Sequence, residues 1–353
     1  KVPGTTDQVD INVNVEEESS GSLVFGVGYS QVSGVILSTS VSENNFLGTG
    51  DKVSASVERS SFLKQYQVSY VNPYLTDSGI SLGYNLSYME LNQEQDNIAS
   101  YLSNDASFTT TLGLPISETD TINVGLGYSK NQIELIPGLT PQAFSEQIDQ
   151  IGHKTIRTTT LNLSYGHDTL NKFFKPTRGG IQSFGIEVAL PGATVDYYKL
   201  SASTRNYFEL PKGFVGVLAG SLGYGKTYGD SANISVPFAD STGQIRNLTF
   251  PFFENFYAGG VRDVRGFEDN TLGPRVCSGL ITNGKADPSA IADAKGVCPT
   301  GSAFINPQPV GGAFKILGTA ELGLPFFQDN DKARLSVFTD VGNVFTSYQD
   351  FKA

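Results

Sequence analysis

The chain has 353 residues, 39% of them hydrophobic, and a formal net charge of −11. That balance excludes a nucleic-acid partner, because a phosphate backbone demands a basic stripe, and no run approaches the roughly 18 apolar residues of a membrane-spanning helix. The 39 Gly, 23 Phe and 16 Tyr suit instead a wall whose residues face lipid and water in alternation.

Residues 1–20 differ from the rest. Lys1 opens a polar stretch with no signal peptide, as an internal piece of a longer chain would. Val9–Val15 alternates strictly and Glu16–Ser20 ends it with charge, predicting the last strand of a small soluble domain and a linker. From Ser22 the period of two rarely stops. Leu23, Phe25, Val27 and Tyr29 share one face, while Val24, Gly26 and Gly28 lie on the other. Leu82, Tyr84, Leu86 and Tyr88 repeat the pattern, as do Ile122, Val124, Leu126 and Tyr128, then Leu161, Leu163 and Tyr165. Successive side chains on a strand point to opposite faces, so each segment has an apolar and a polar wall.

The connections alternate in length. Asn72–Gly79, Pro115–Asp120 and Phe208–Gly213 are short, whereas 90–102, 134–157 and 225–312 are long. Short turns on one side and long loops on the other are the pattern of a transmembrane antiparallel β-barrel, which we assign to residues 21–353. About thirteen strands are predicted, near 22–30, 34–42, 51–60, 64–72, 79–90, 103–114, 120–133, 158–167, 180–190, 196–208, 214–225, 313–327 and 333–345. Single-chain bacterial barrels usually have an even number of strands. Since 346–353 reads as loop, the barrel is expected to lack its closing strands.

Enzymatic constellations are thin. His153 and His167 are the two histidines, and no serine stands beside them in a nucleophile elbow. Asn45–Gly50 holds two glycines without the frame or lysine of a phosphate-binding loop, and reads as a turn. We therefore expect no catalysis, metal or cofactor. Cys277 and Cys298 share the long loop, and in an oxidising compartment they are expected to form a disulfide. In the last two strands the apolar faces send Lys315, Thr319 and Glu321, then Arg334, Ser336 and Asp340, toward the lumen. The long loop carries Arg265 between Val264 and Gly266-Phe267, and a guanidinium so placed is suited to dock on those two carboxylates.

The phrase FFENFYAGGVRDVRGF (Phe252–Phe267), followed by NTLGP (Asn270–Pro274), resembles the conserved loop of the Omp85 superfamily, on its barrel-assembly branch. NNFLGTG (Asn44–Gly50) and VNPYLTDSGISLG (Val71–Gly83) resemble other barrel segments, and Val2–Glu17 resembles the end of a periplasmic POTRA module. The resemblance implies a sixteen-stranded barrel, with three strands missing here, and a loop folded into the lumen. It assigns the loop motif to Val264, Arg265, Gly266 and Phe267 and the arginine's partners to Glu321 and Asp340. It also implies insertion of unfolded outer-membrane proteins without catalysis, helped by accessory assembly lipoproteins and outer-membrane lipid. The lateral seam would lie at Leu23–Tyr29, where Gly26 and Gly28 weaken the strand. A two-partner-secretion or TamA-like translocator, or a passive porin, stays open as an alternative.

Overall fold

The alternation becomes one antiparallel sheet in the computed structural model, which describes residues 19–30, 34–92, 100–277, 281–282, 285–286, 293, 297–298, 307–326 and 334–352. Its strands are β1 (Gly21–Ser30), β2 (Gly34–Phe46), β3 (Asp51–Arg59), β4 (Leu63–Asn72), β5 (Ser81–Asn92), β6 (Leu102–Pro115) and β7 (Asp120–Glu134). They continue with β8 (Thr155–Asp168), β9 (Gly179–Ala189), β10 (Tyr197–Glu209), β11 (Val215–Thr227), β12 (Phe314–Gly323) and β13 (Ser336–Phe345). Each pairs with its sequence neighbours, so the order runs from β1 to β13 without a crossover, and β1 does not pair with β13. The thirteen strands match the sequence reading in number and order. β2 runs on to Phe46 through an irregularity after Glu43, and β8 starts at Thr155. The run Val9–Val15 and Glu16–Glu18 lie outside the described residues.

The register explains the two walls. Leu23 faces Val41, Val41 faces Ala55, Ala55 faces Val68, and Val68 faces Leu86, which faces Phe108. This row is exposed: Leu86 keeps 58% of its surface accessible. An exposed apolar row across a whole sheet is the lipid face of a barrel, not a soluble core. The lumen face carries Ser54–Ser69, Ser87–Ser107 and Ser183–Ser203 hydroxyl pairs. The buried side chains gather at one end, where the long connections pack on one another.

Two segments depart from the sequence reading. The connection 134–155 contains a helix, α1 (Gln142–Ile151), which ends at Gly152 in the left-handed conformation. The last residues, read as loop, form a short helix, α2 (Tyr348–Lys352). Phe351 and Tyr348 pack on Phe314 and Phe345, and Asp350 accepts from Ser347 and Thr346. Aromatic packing against β12 and β13 gives that helix a surface that its own five residues could not supply.

Candidate functional site

Between β11 and β12 the chain makes a small hairpin, Val236–Ala239 with Ile245–Leu248, and a turn at Phe252–Glu254. It then dives along the lumen wall. Phe256 and Gly312 exchange backbone hydrogen bonds of 2.8 and 3.0 Å, pinning the two ends of the loop together. Two glycines then turn the chain: Gly259 and Gly260 have φ of 118° and 93°. A Cβ on Gly259 would lie 2.5 Å from the Glu268 carbonyl oxygen, so only glycine fits there.

This turn presents Val264–Phe267. Val264 is buried with Ala258, Leu317 and Val344. Arg265 reaches β13 as a two-pronged fork: Nε lies 2.7 Å from Asp340 Oδ2 and Nη2 2.8 Å from Oδ1. Its backbone N–H also donates to Asp340 Oδ2 at 3.0 Å, and Nη1 lies 3.3 Å from Glu321 Oε2 on β12. Thr319, opposite Asp340 in the register, donates its hydroxyl to Oδ1 at 2.8 Å. The guanidinium carbon lies over the Phe338 ring, 3.4 Å from its centre. Charge, fork geometry and ring stacking act together here, which a lysine could not reproduce. Asp340 keeps only 2% of its side chain exposed, so its charge is satisfied inside the protein. Gly266 has φ 93°, while Phe267 stays 54% exposed and is not part of the packing.

Sequence reasoning missed Phe338, although it shares the lumen parity of Asp340, because an aromatic inside a wet wall carries no pattern signal. It also missed a second anchor on the opposite side of the loop. Glu254, beside the aromatic run, pairs with Lys199 on β10 at 2.9 Å, and Lys199 lies 5.5 Å from the Phe256 ring centre. Tyr197 donates to Glu187 on β9 at 3.1 Å. Lys315 adds a third contact, 3.1 Å from Asp263 and 3.2 Å from the Tyr257 carbonyl. The loop is thus tied to β10, β12 and β13.

Above these ties the loop meets α1. Phe144 stacks on Phe252 with ring centres 4.0 Å apart, and Tyr101 meets Phe252 edge-on at 4.9 Å. Gln147 is fully buried. It donates to the carbonyls of Leu248 and Phe250 and accepts the Phe252 N–H at 2.9 Å. The signal for α1 was present in the sequence, since Phe144, Gln147, Ile148 and Ile151 recur with helical spacing. Gln147→Ala should leave these backbone groups without partners, at about 2 kcal/mol. Amide exchange at Phe252 is then expected to quicken about thirtyfold; unchanged protection would show that the contact is passive.

The hairpin carries its own charged knot. Arg246 lies 3.0 Å from Asp240 and 3.6 Å from Asp350 of α2. Burial alone would raise the Asp240 carboxyl, but hydrogen bonds from Thr242, Arg246 and the Gln244 N–H outweigh it and hold it below the usual carboxylate range. Cys277 and Cys298 form a disulfide with Cα atoms 5.7 Å apart. Closing a loop of about twenty residues constrains the unfolded chain by about 3 kcal/mol in the entropy account. Titration of the native protein should find no free thiol; two reactive thiols would contradict the bridge.

Leu23, Phe25, Val27 and Tyr29 of β1 all face outward, with Val27 80% exposed, and Val24, Gly26 and Gly28 face the lumen. They lie on the strand at the opposite end of the sheet order from β12 and β13, which hold Arg265.

An outward apolar belt with a loop anchored in the lumen by a buried arginine–carboxylate fork defines an outer-membrane-type β-barrel with an internal plug. The chain belongs to the Omp85 superfamily, whose domain it matches over residues 45–353. It is 29% identical to the outer membrane protein assembly factor BamA of Neisseria meningitidis serogroup B, over 97% of this chain and 39% of that protein. It is 27% identical to the BamA of Nitratidesulfovibrio vulgaris, over 76% of this chain and 31% of that one. The crystal structure of BamA from Haemophilus ducreyi lacking POTRA domains 1–3 matches all of this chain and 63% of its own, with TM-score 0.74 and 25% identity. The chain therefore spans well under half the length of these two sequence relatives.

Proposed function

We propose that the protein folds and inserts other β-barrel proteins into the bacterial outer membrane, and that it does so without catalysis. The observation that carries this reading is the Arg265 fork on Asp340 and Glu321 in a chain so similar to proteins named assembly factors. Residues 1–20 are, in this reading, the end of a periplasmic POTRA module, and 21–353 the barrel portion. The clients are unfolded outer-membrane proteins, with assembly lipoproteins and outer-membrane lipid as further partners.

The seam is assigned to β1. A closed barrel must pair its first strand with its last, because lipid offers no partner to an open edge. Glycine at 26 and 28 strips side-chain packing from the lumen face of β1. An edge that opens can template an incoming strand.

The test uses the full-length protein in liposomes and an unfolded barrel client. A disulfide engineered between β1 and the final strand of the whole protein should stop client folding, and reduction should restore it. Equal activity of the locked and reduced forms would overturn the seam. Failure of the unlocked protein to speed client folding would overturn the assembly role itself.

A further inference from the structure

The lipid-facing wall carries a row of cations along the rim next to the long loops. Arg59 ends β3 two residues beyond the outward Val57, and Lys64 on β4 lies two beyond Tyr66. The same step toward the long loops leads from Tyr128 to Lys130 on β7, from Thr159 to Arg157 on β8, and from Tyr224 to Lys226 on β11. All five cations are exposed. Glu90, the nearest acid on this rim, is paired with Lys64 at 2.6 Å, and Glu134 lies four residues farther out than Lys130. Among the described residues no carboxylate pairs with Arg59, Lys130, Arg157 or Lys226.

At the opposite rim, by the short turns, Glu43, Asp51 and Asp120 occupy outward positions. Tyr70 and Tyr165 turn their hydroxyls onto Asp51 and Asp120 at 2.8 and 2.5 Å, and His167 lies 2.8 Å from Asp120. Lys172, Arg178 and Lys212 lie exposed in the connections on this side, so what distinguishes the loop-side rim is the direct opposition of like charges rather than a monopoly of cations.

Snorkelling alone explains a lysine at a membrane boundary, but not the pairing found here. Arg59 stands directly opposite Lys64, and Lys130 directly opposite Arg157. Like charges facing each other across a ladder repel, with Cβ atoms about 5 Å apart. An anion between them reverses the sign of that interaction, and phosphate is matched by an arginine fork beside a lysine point charge. An open recess of about 280 Å³ lies at the first pair, walled by Arg59, Ser60, Lys64, Glu90 and Asn104. The apolar belt immediately below, with Tyr66, Leu86 and Tyr128 exposed, offers a surface for acyl chains.

We propose that the loop-side rim binds the phosphorylated headgroups of lipids in the adjoining leaflet, at Arg59–Lys64 and at Lys130–Arg157. The inference concerns lipid retention and stands apart from client insertion. It is tested with the full-length protein in phosphatidylcholine nanodiscs doped with diphosphoryl lipid A, counting bound lipid A by native mass spectrometry. Wild type should retain lipid A, and the variant R59Q/K64Q/K130Q/R157Q should hold it about tenfold more weakly. Heat-shifted gel mobility confirms that the variant is folded, and K130Q/R157Q alone should give an intermediate loss if the quadruple variant is not. Lys52→Gln, on the lumen face of β3, should change nothing. Free inorganic phosphate should not displace the lipid, because it lacks the acyl chains. Equal retention by wild type and the folded variant, equal loss in Lys52→Gln, or displacement by phosphate would each overturn the proposal.

Discussion

Arg265→Ala is expected to release the loop from the β12–β13 wall. The substitution removes the fork on Asp340, the contact with Glu321 and the stack on Phe338 at once. It leaves Asp340, 2% exposed, with its hydroxyl donor Thr319 but no counter-charge. Breaking a buried ion pair by removing one partner costs about 3–5 kcal/mol, because the remaining charge has lost its compensation. The lumen side of this pair is partly open, with Arg265 24% exposed, so the lower end, about 3 kcal/mol, is expected. Hydrogen exchange across Ala258–Leu272 should quicken by about a hundredfold, by the usual 1.4 kcal/mol per decade. Arg265→Lys should rescue little, since an ammonium cannot engage both Asp340 oxygens while lying on the ring. Arg262→Ala is the control: Arg262 is exposed and bears no ion pair among the described residues. If both alanine variants left exchange and client folding equally intact, the docked arginine would be ornamental.

Phe252→Ala should loosen the opposite end of the loop. Phe252 is fully buried between Phe144 of α1 and Tyr101, and Phe253 meets it at 5.4 Å. Deleting a buried phenylalanine costs about 3–5 kcal/mol from lost transfer energy and the cavity left behind. The strands of the wall are held by their own ladders, so the loss should fall on the loop and α1 alone. Trypsin cleavage after Arg246 and Arg262 is the readout, and it should speed up by at least about a hundredfold while the barrel keeps its folded gel mobility. Phe252→Leu should recover part of the protection, because it refills much of the cavity but loses the ring contacts with Phe144 and Tyr101. Cleavage within twofold of wild type in Phe252→Ala would mean that the aromatic cluster does not hold the loop.

What the sequence by itself determined is the wall. A period of two repeats through strand after strand, and it states which face is apolar without reference to any other part of the chain, because pleating is local. Leu23–Tyr29, Leu82–Tyr88 and Leu161–Tyr165 could be assigned to the outer face from their spacing alone. The lumen direction of Lys315, Glu321 and Asp340 followed by the same parity. Turn lengths fixed the two sides of the barrel, again from local information.

Only the tertiary structure decided how the loop is held. Glu254 on Lys199 joins residues 55 apart, and Gln147 on Phe252 joins residues 105 apart. Neither separation leaves a periodic trace in the sequence. The stacking of Arg265 on Phe338 depends on the register that places Phe338 opposite Glu321. α2 forms because aromatic side chains of two strands give it a surface to pack on. The opposed cations at Arg59–Lys64 and Lys130–Arg157 likewise exist only through strand pairing, since a ladder sets side by side residues that the sequence keeps apart. Periodicity is encoded along the chain, whereas register and docking are encoded between its parts.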